Sequence, residues 1–227
     1  MKILFKYNSE EILNINTVSV IGDFNNYNPD KGLMKKEDGV WIFTCDLKEG
    51  EYKYKFLING ELKLNDPTSN IYLPDDNEEL WSVIMINEND QRLYNNTQYN
   101  VNIDKYNITC NINEKEEVTN KKIFNILSDK KVVVRLDFTQ VTGLHCVTIA
   151  WFNPLGELFQ FAENSLFTPQ NNNEPIKLWF WMELNDSRIK QLCGNWTLKI
   201  FIDGEFILED EFKINQLNSY SSLGKMI

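Results

Sequence analysis

Apolar and polar residues alternate at period two along most of this chain. In its first third the alternation is clearest in three segments, at residues 18–21, 41–47 and 52–58. Period two places successive side chains on opposite faces of a β-strand. Asp38-Gly39 and Asn59-Gly60 stand between such segments and are signals for tight β-hairpin turns. The pattern therefore predicts short antiparallel strands that form a small β-sandwich.

The last hundred residues show the same alternation with more apolar residues. Six strands are predicted there, at residues 132–138, 146–152, 157–162, 176–184, 196–202 and 205–214. Pro154-Leu155-Gly156 and Asp203-Gly204 supply two of the turns. This number of strands in about a hundred residues is typical of an immunoglobulin-like sandwich. The predicted fold class is all-β, with two β-sandwich domains of the immunoglobulin-like or early-set type in tandem.

A polar stretch separates the two patterned regions. The chain has 227 residues, more than the roughly 100 to 150 residues of a common domain, so two domains are expected. Alternation is weaker in the middle, where Tyr99, Val101 and Ile103 keep one phase and Tyr106 and Ile108 the other. We predict a first sandwich at 1–87, a connector with one or two strands at 88–124, a second sandwich at 125–218 and a tail at 219–227.

The net charge and the distribution of apolar residues limit which partners and which cellular location are expected. The formal net charge is -10, and such an anionic surface repels phosphate backbones and anionic lipid. We therefore expect neither nucleic acid nor a membrane as a partner, whereas a neutral polysaccharide is not disfavoured. The run Met1–Tyr7 gives way to polar residues within a few positions, so no secretory signal is predicted and a cytoplasmic location is expected.

The residue types that most enzymes need are scarce in this chain. There is one histidine, His145, and four widely spaced cysteines without a Cys-x-x-Cys motif. A zinc site needs three or four convergent ligands, so no metal and no cofactor is expected. His145 adjoins Cys146, but neighbouring side chains on a strand point to opposite faces, so the two are not expected to form a catalytic dyad. We expect a protein that is not an enzyme.

Several phrases occur in a characteristic order in the first third. They are Gly-Asp-Phe-Asn-Asn-Tyr at 22–27, Asp-Gly-Val-Trp at 38–41, Glu-Gly-Glu-Tyr-Lys-Tyr-Lys-Phe-Leu-Ile-Asn-Gly at 49–60 and Asn-Asp-Pro at 65–67. This series resembles the glycogen-binding module, carbohydrate-binding module family 48, which stands at the front of branching and debranching enzymes and in the β subunits of AMP-activated kinases. The resemblance implies recognition of an α-glucan or oligosaccharide without catalysis.

The resemblance also marks positions for the sugar site. Tyr27, beside Asn26, takes the place of the family's first aromatic platform, and Lys55 that of its hydrogen-bonding lysine. Lys55 lies opposite the apolar phase of its strand, so it is expected to face solvent. The family's second tryptophan platform is replaced by Leu62 or Lys63, depending on how the turn is aligned. Trp81 precedes the closing strand, where it either rebuilds a platform or caps the core.

One further pair of aromatic residues suggests a contact surface. Trp179 and Trp181 share a strand face, and an apolar row occupies the other face. One face has to be the core, so the pair either packs there or forms an interface between the domains or with a second copy of the chain, a sugar platform being the third interpretation. The alternative function is accordingly a protein-interaction scaffold whose glycogen-binding-like fold has lost sugar binding.

Overall fold

In the computed structural model, residues 1–8, 13–95, 99–112, 119–169 and 174–216 are described. These residues form β-strands and three short 3-10 helices, and they contain no α-helix. The strands are β1 (Lys2–Asn8), β2 (Val18–Gly22), β3 (Lys35–Glu37), β4 (Val40–Asp46), β5 (Gly50–Ile58), β6 (Leu62–Leu64), β7 (Tyr72–Pro74), β8 (Leu80–Ile86), β9 (Arg92–Leu93), β10 (Asn100–Thr109), β11 (Ile123–Asn125), β12 (Lys131–Thr142), β13 (His145–Phe152), β14 (Leu158–Leu166), β15 (Ile176–Glu183), β16 (Gly194–Ile202) and β17 (Glu205–Asn215). The 3-10 helices are Asp23–Asn25, Pro29–Gly32 and Ile189–Gln191.

The N-terminal strands form two sheets around one apolar core. One sheet has the order β1-β4-β3, and the other has the order β2-β5-β8-β7, with β6 on β5 and β9 on β8. Phe5, Trp41 and Phe56 are among the side chains buried between them. The predicted alternation holds, because Tyr54, Phe56 and the neighbouring Val20 face this core.

The C-terminal strands form a second pair of sheets with a core of its own. The sheets have the orders β10-β12-β15 and β11-β17-β16-β13-β14. Their facing sides bury Trp151 and Trp196 completely, together with Val134 and Phe180. Each of the six strands predicted here is present, so the predicted all-β fold class is confirmed.

The strands are joined by the turns that the sequence predicts. Asp38-Gly39, Asn59-Gly60 and Asp203-Gly204 each have two consecutive positive φ angles, which is the backbone of a type I′ turn. Such a turn matches the right-handed twist of the flanking strands. These three dipeptides thus fix the register of the hairpins that they close.

The polar middle of the chain contributes one long strand. Strand β10 pairs with β12, and its register shifts between Ile103 and Lys105. A β-bulge of this kind turns the following side chains to the other phase. It explains why Val101 and Ile103 keep one phase and Tyr106 and Ile108 the other, although all four pack against the same core.

The two pairs of sheets are in direct contact. Ala150 and Phe201, on the outer side of the C-terminal sheet, are buried within the N-terminal apolar cluster. Gly204 lies so close to Asn65 that an added Cβ would stand 1.8 Å from the Asn65 carbonyl oxygen. The domain boundaries stay a prediction, and the expected tail at 219–227 lies outside the described residues. Within the described residues, no helix has the length and apolar character needed to cross a membrane.

Candidate functional site

Tyr27 lies on the loop that follows the first 3-10 helix, next to strand β5. Asn26 and Tyr27 both have a positive φ, and the Asp23 carboxylate accepts a hydrogen bond from the Tyr27 hydroxyl. The other oxygen of Asp23 accepts one from the Lys53 amide at 2.7 Å, which ties the loop to β5. Tyr27 is 43% exposed. Its ring therefore remains accessible, as a stacking platform requires.

Trp81 stands beside Tyr27 on strand β8. The ring of Tyr27 meets it edge to face, with centroids 5.2 Å apart. The ammonium groups of Lys55 and Lys63 lie 5.2 Å and 5.5 Å from the Trp81 ring centroid, and its indole N–H donates to Asp75 at 3.2 Å. Only 5% of Trp81 is exposed. Its ring is thus enclosed by protein groups and offers no open face to a ligand.

Lys55 does not face solvent, so this expectation was wrong. Its side chain is fully buried. The Lys55 ammonium lies 3.0 Å from Glu79 of the turn before β8 and 2.7 Å from Glu163 of strand β14. Alternation placed Lys55 correctly on the side away from Phe56, but that side is covered by the C-terminal half of the chain. The lysine joins the two halves.

Leu62 and Lys63 lie on opposite sides of strand β6, and neither replaces the second platform. Leu62 is 3% exposed and belongs to the N-terminal core, so its prediction as a sugar contact was wrong. Lys63 points to the other side of β6, where its ammonium lies 2.9 Å from Glu79. The hairpin turn at Asn59-Gly60 sets this phase, because successive residues of β6 alternate between the faces.

The charges at this junction favour the ionised forms of Lys55 and Glu79. Burial lowers the pKa of an ammonium group, but the nearby carboxylates, chiefly Glu163, outweigh burial and raise the pKa of Lys55. Burial raises the pKa of a carboxyl group, but Lys55 and Lys63 outweigh it and hold the pKa of Glu79 below its ordinary value. Two lysines and two carboxylates therefore form a compact network of ion pairs, which we call the junction network (Lys55, Lys63, Glu79 and Glu163).

Trp179 and Trp181 lie on the outer side of strand β15, away from the core that Leu178 and Phe180 fill. Core packing is thus ruled out for the pair. Arg135 approaches the Trp179 ring to 5.2 Å and Lys131 the Trp181 ring to 4.9 Å. Trp181 is 41% exposed. Neither ring belongs to the N-terminal apolar cluster, so the interface between the domains does not account for them among the described residues.

His145 and Cys146 have separate partners. The His145 Nδ1 lies 2.7 Å from Asp203, its Nε2 lies 3.0 Å from the Thr142 carbonyl oxygen, and the Cys146 sulfur lies 3.2 Å from Glu163. Burial raises the pKa of the Cys146 thiol, which keeps it protonated and unreactive. Both ring nitrogens of His145 face acceptors, an arrangement that favours the doubly protonated ring.

The His145 pair predicts a dependence of stability on pH. Burial lowers the His145 pKa, but the hydrogen bond and charge of Asp203 outweigh it, and the pKa is raised. A raised folded-state pKa stabilises the fold at pH values below the unfolded value of about 6.5, and this contribution is lost as pH rises through the folded-state pKa. The free energy of unfolding should therefore fall between pH 6 and pH 9.

Urea unfolding of the wild-type protein and of His145→Gln at both pH values measures this effect. His145 is the one histidine of the chain, and the other titratable groups are common to both proteins. The difference between them should shrink as pH rises. A difference that stays constant or grows would contradict the imidazolium assignment.

Comparison with known families gives the site its context. Residues 4–92 match the family described as the glycogen recognition site of AMP-activated protein kinase. The N-terminal part of this chain is thus similar in sequence to a glycogen-recognition domain. The resemblance inferred from the phrases at 22–27, 38–41 and 49–60 is confirmed for this part. No curated protein matches the chain.

The solved structures that are similar to the chain include the following two. One is an immunoglobulin-like protein from Pseudomonas aeruginosa, with 14% identity, a TM-score of 0.37 and coverage of 52% of this chain and 98% of that one. The other is a maltogenic amylase from S. marinus, with 15% identity, a TM-score of 0.34 and coverage of 93% of this chain. This chain spans 28% of the amylase chain, so the activity of the amylase is not carried over.

Several residues of the site are not evident from the sequence pattern. Glu79 stands in a polar acidic run with Asp75, which is typical of a solvated loop, and nothing marks Lys63 as an ion-pair partner. In the structure Asp75 accepts hydrogen bonds from the Glu79 amide and from the Trp81 indole. The tandem acidic residues before Trp81 were the available signal for Glu79. Nothing local in the sequence points to Glu163, which lies 108 positions from Lys55.

Proposed function

We propose that this chain is a non-catalytic carbohydrate-binding protein that recognises an α-glucan of the glycogen or starch type. The match of residues 4–92 to a glycogen-recognition family carries the proposal. Tyr27 supports it, because an accessible aromatic ring beside the Asn26 amide offers both stacking and hydrogen bonding. The net charge of -10 does not oppose a neutral polysaccharide.

The chemistry of the carboxylates supports a binding role over hydrolysis. A glycosidase needs one carboxyl group with a raised pKa as its general acid. Glu79 has a lowered pKa, and Glu163 is paired with Lys55 at 2.7 Å. In the described part of the chain, no three His, Cys, Asp or Glu side chains are grouped to hold a metal ion. The pairing of these carboxylates with lysines thus supports a binding role.

Native gel electrophoresis tests the proposal. We expect the wild-type protein to migrate more slowly in gels that contain glycogen or soluble starch than in plain gels. Hydroxyethylcellulose, a neutral β-linked glucan derivative, is the control polysaccharide and should leave the mobility unchanged. Equal mobility in all gels, with a folded circular dichroism spectrum, would contradict α-glucan binding.

A role as a protein-interaction module is the second candidate. It is favoured by the burial of Lys55, Leu62 and Trp81, which removes three positions that the family resemblance marks for sugar. Trp181 would then supply an exposed anchor for a partner or a second copy of the chain. Absence of glucan retention together with a mass in sedimentation that rises with protein concentration would favour this candidate.

A further inference from the structure

A groove of about 550 Å³ separates the turn before strand β8 from strand β14. Lys63 and Glu79 border it on the N-terminal side, and Phe161, Asn164 and Phe167 border it on the C-terminal side. Its volume lies within the range of roughly 300 to 1,000 Å³ that is usual for small-molecule sites. Sites of this kind occur preferentially where two domains meet. The groove adjoins the junction network but requires the C-terminal half for one wall.

The lining of the groove combines apolar rings with neutral hydrogen-bonding groups. Phe167 is 53% exposed, and Phe161, six positions earlier along the same wall, is half-buried. The amides of Asn77 and Asn164 and the hydroxyl of Ser165 complete the lining. Sugars present an apolar ring face and a rim of hydroxyl groups. An aromatic surface flanked by amides and a hydroxyl is complementary to both.

The charges of the groove exclude an anionic ligand. Lys63 is paired with Glu79 at 2.9 Å, and Lys55 behind it is paired with Glu163 at 2.7 Å. Among the described lining residues, no lysine or arginine is left over for a phosphate or a carboxylate. Glu78 adds a negative charge. The lining therefore favours a neutral, polar ligand over an anionic one.

We propose that a neutral oligosaccharide binds in this groove between the two halves of the chain, with Phe167 as its stacking surface and Asn164 as a hydrogen-bonding residue. This inference rests on the proposed function and adds to it a site. The groove is separate from the Tyr27 ring and forms a surface that the N-terminal domain alone does not possess. The junction network then acts as the floor that holds the two walls at a fixed separation.

Titration calorimetry with maltotriose and maltoheptaose tests the site in the full-length chain. Phe167→Ala and Asn164→Ala should each weaken the affinity, by about tenfold for the lost ring. Tyr94 is 62% exposed and lies outside the groove lining, so Tyr94→Ala is the matched control for removing an exposed ring. Tyr94→Ala should remain within about twofold of the wild-type affinity, because Tyr94 does not line the groove.

The outcomes separate the site from the function. Weakened binding in both groove variants, with Tyr94→Ala near wild type, supports the groove. Wild-type affinity in the groove variants, or an equal loss in Tyr94→Ala, overturns the groove and leaves glucan binding standing. If the folded wild-type protein binds neither oligosaccharide and is not retained by glycogen, both the groove and the proposed function are wrong.

Discussion

Replacing Lys55 with methionine is expected to lower the free energy of unfolding by about 3 kcal/mol. Methionine keeps most of the length of the apolar stem, so the main loss is the buried ammonium group. Glu79 and Glu163 then face each other without the cation between them, and Glu163 retains only 14% exposure. Breaking a buried pair from one side costs about 3–5 kcal/mol. The lower end applies because both carboxylates keep some contact with water.

Urea unfolding at neutral pH measures this loss, and an exposed ion pair provides the control. Lys131 pairs with Glu183 at 2.9 Å, with side-chain exposures of 31% and 45%. Lys131→Met should therefore cost less than about 1 kcal/mol. Equal losses in the two variants would show that Lys55 is not sealed between the halves.

A second substitution tests whether Glu163 is the partner that matters. Glu163→Gln removes the charge of the C-terminal carboxylate while Glu79 keeps Lys63 at 2.9 Å. Combined with Lys55→Met, it should restore part of the lost stability, because the uncompensated charge is gone. A double-mutant cycle over the four proteins gives the coupling energy directly. If the stability losses of the two single substitutions simply add, Lys55 is coupled to Glu79 and not to Glu163.

The strands and turns could be predicted from the sequence, because side-chain alternation and the φ preferences of turn residues are local properties. Tyr52, Tyr54, Phe56 and Ile58 alternate with other residues, and strand β5 buries the last three in the core. Each of the three turns with Asn-Gly or Asp-Gly adopts the positive φ angles that these residue pairs favour. The bulge in strand β10 was visible as a change of phase between Ile103 and Tyr106, although its meaning required the pairing partner.

The surroundings of the candidate site could not be predicted from the local sequence pattern, because they depend on packing between segments that are distant in the chain. Alternation states on which side of the sheet Lys55 lies, and that part was correct. It does not state whether water or another strand covers that side. Glu163 covers it from 108 positions away. The same holds for Trp81, which alternation allowed as either a platform or a core residue and which instead packs among charged groups.

A substitution at Gly204 is expected to disturb the contact between the two halves of the chain. Gly204 is the second residue of the Asp203-Gly204 turn, with a φ of 85°. An added Cβ would lie 1.8 Å from the Asn65 carbonyl oxygen, which is backbone and has no rotamer to move away. Gly204→Ala should therefore separate the turn from Asn65, in addition to the strain of a positive φ at alanine of about 1–2 kcal/mol.

Gly39→Ala is the control that separates the backbone strain from the effect of the Asn65 contact. Gly39 is the second residue of the Asp38-Gly39 turn, it has the same φ of 85°, and no atom lies within 4 Å of the position that an added Cβ would take. Gly39→Ala should show the backbone strain alone, and Gly204→Ala should cost about 2 kcal/mol more in urea unfolding, as overpacking does. Because the Asn65 contact joins the two halves, Gly204→Ala should also separate their unfolding into two transitions. A single transition with the same midpoint as Gly39→Ala would mean that the halves do not depend on this contact.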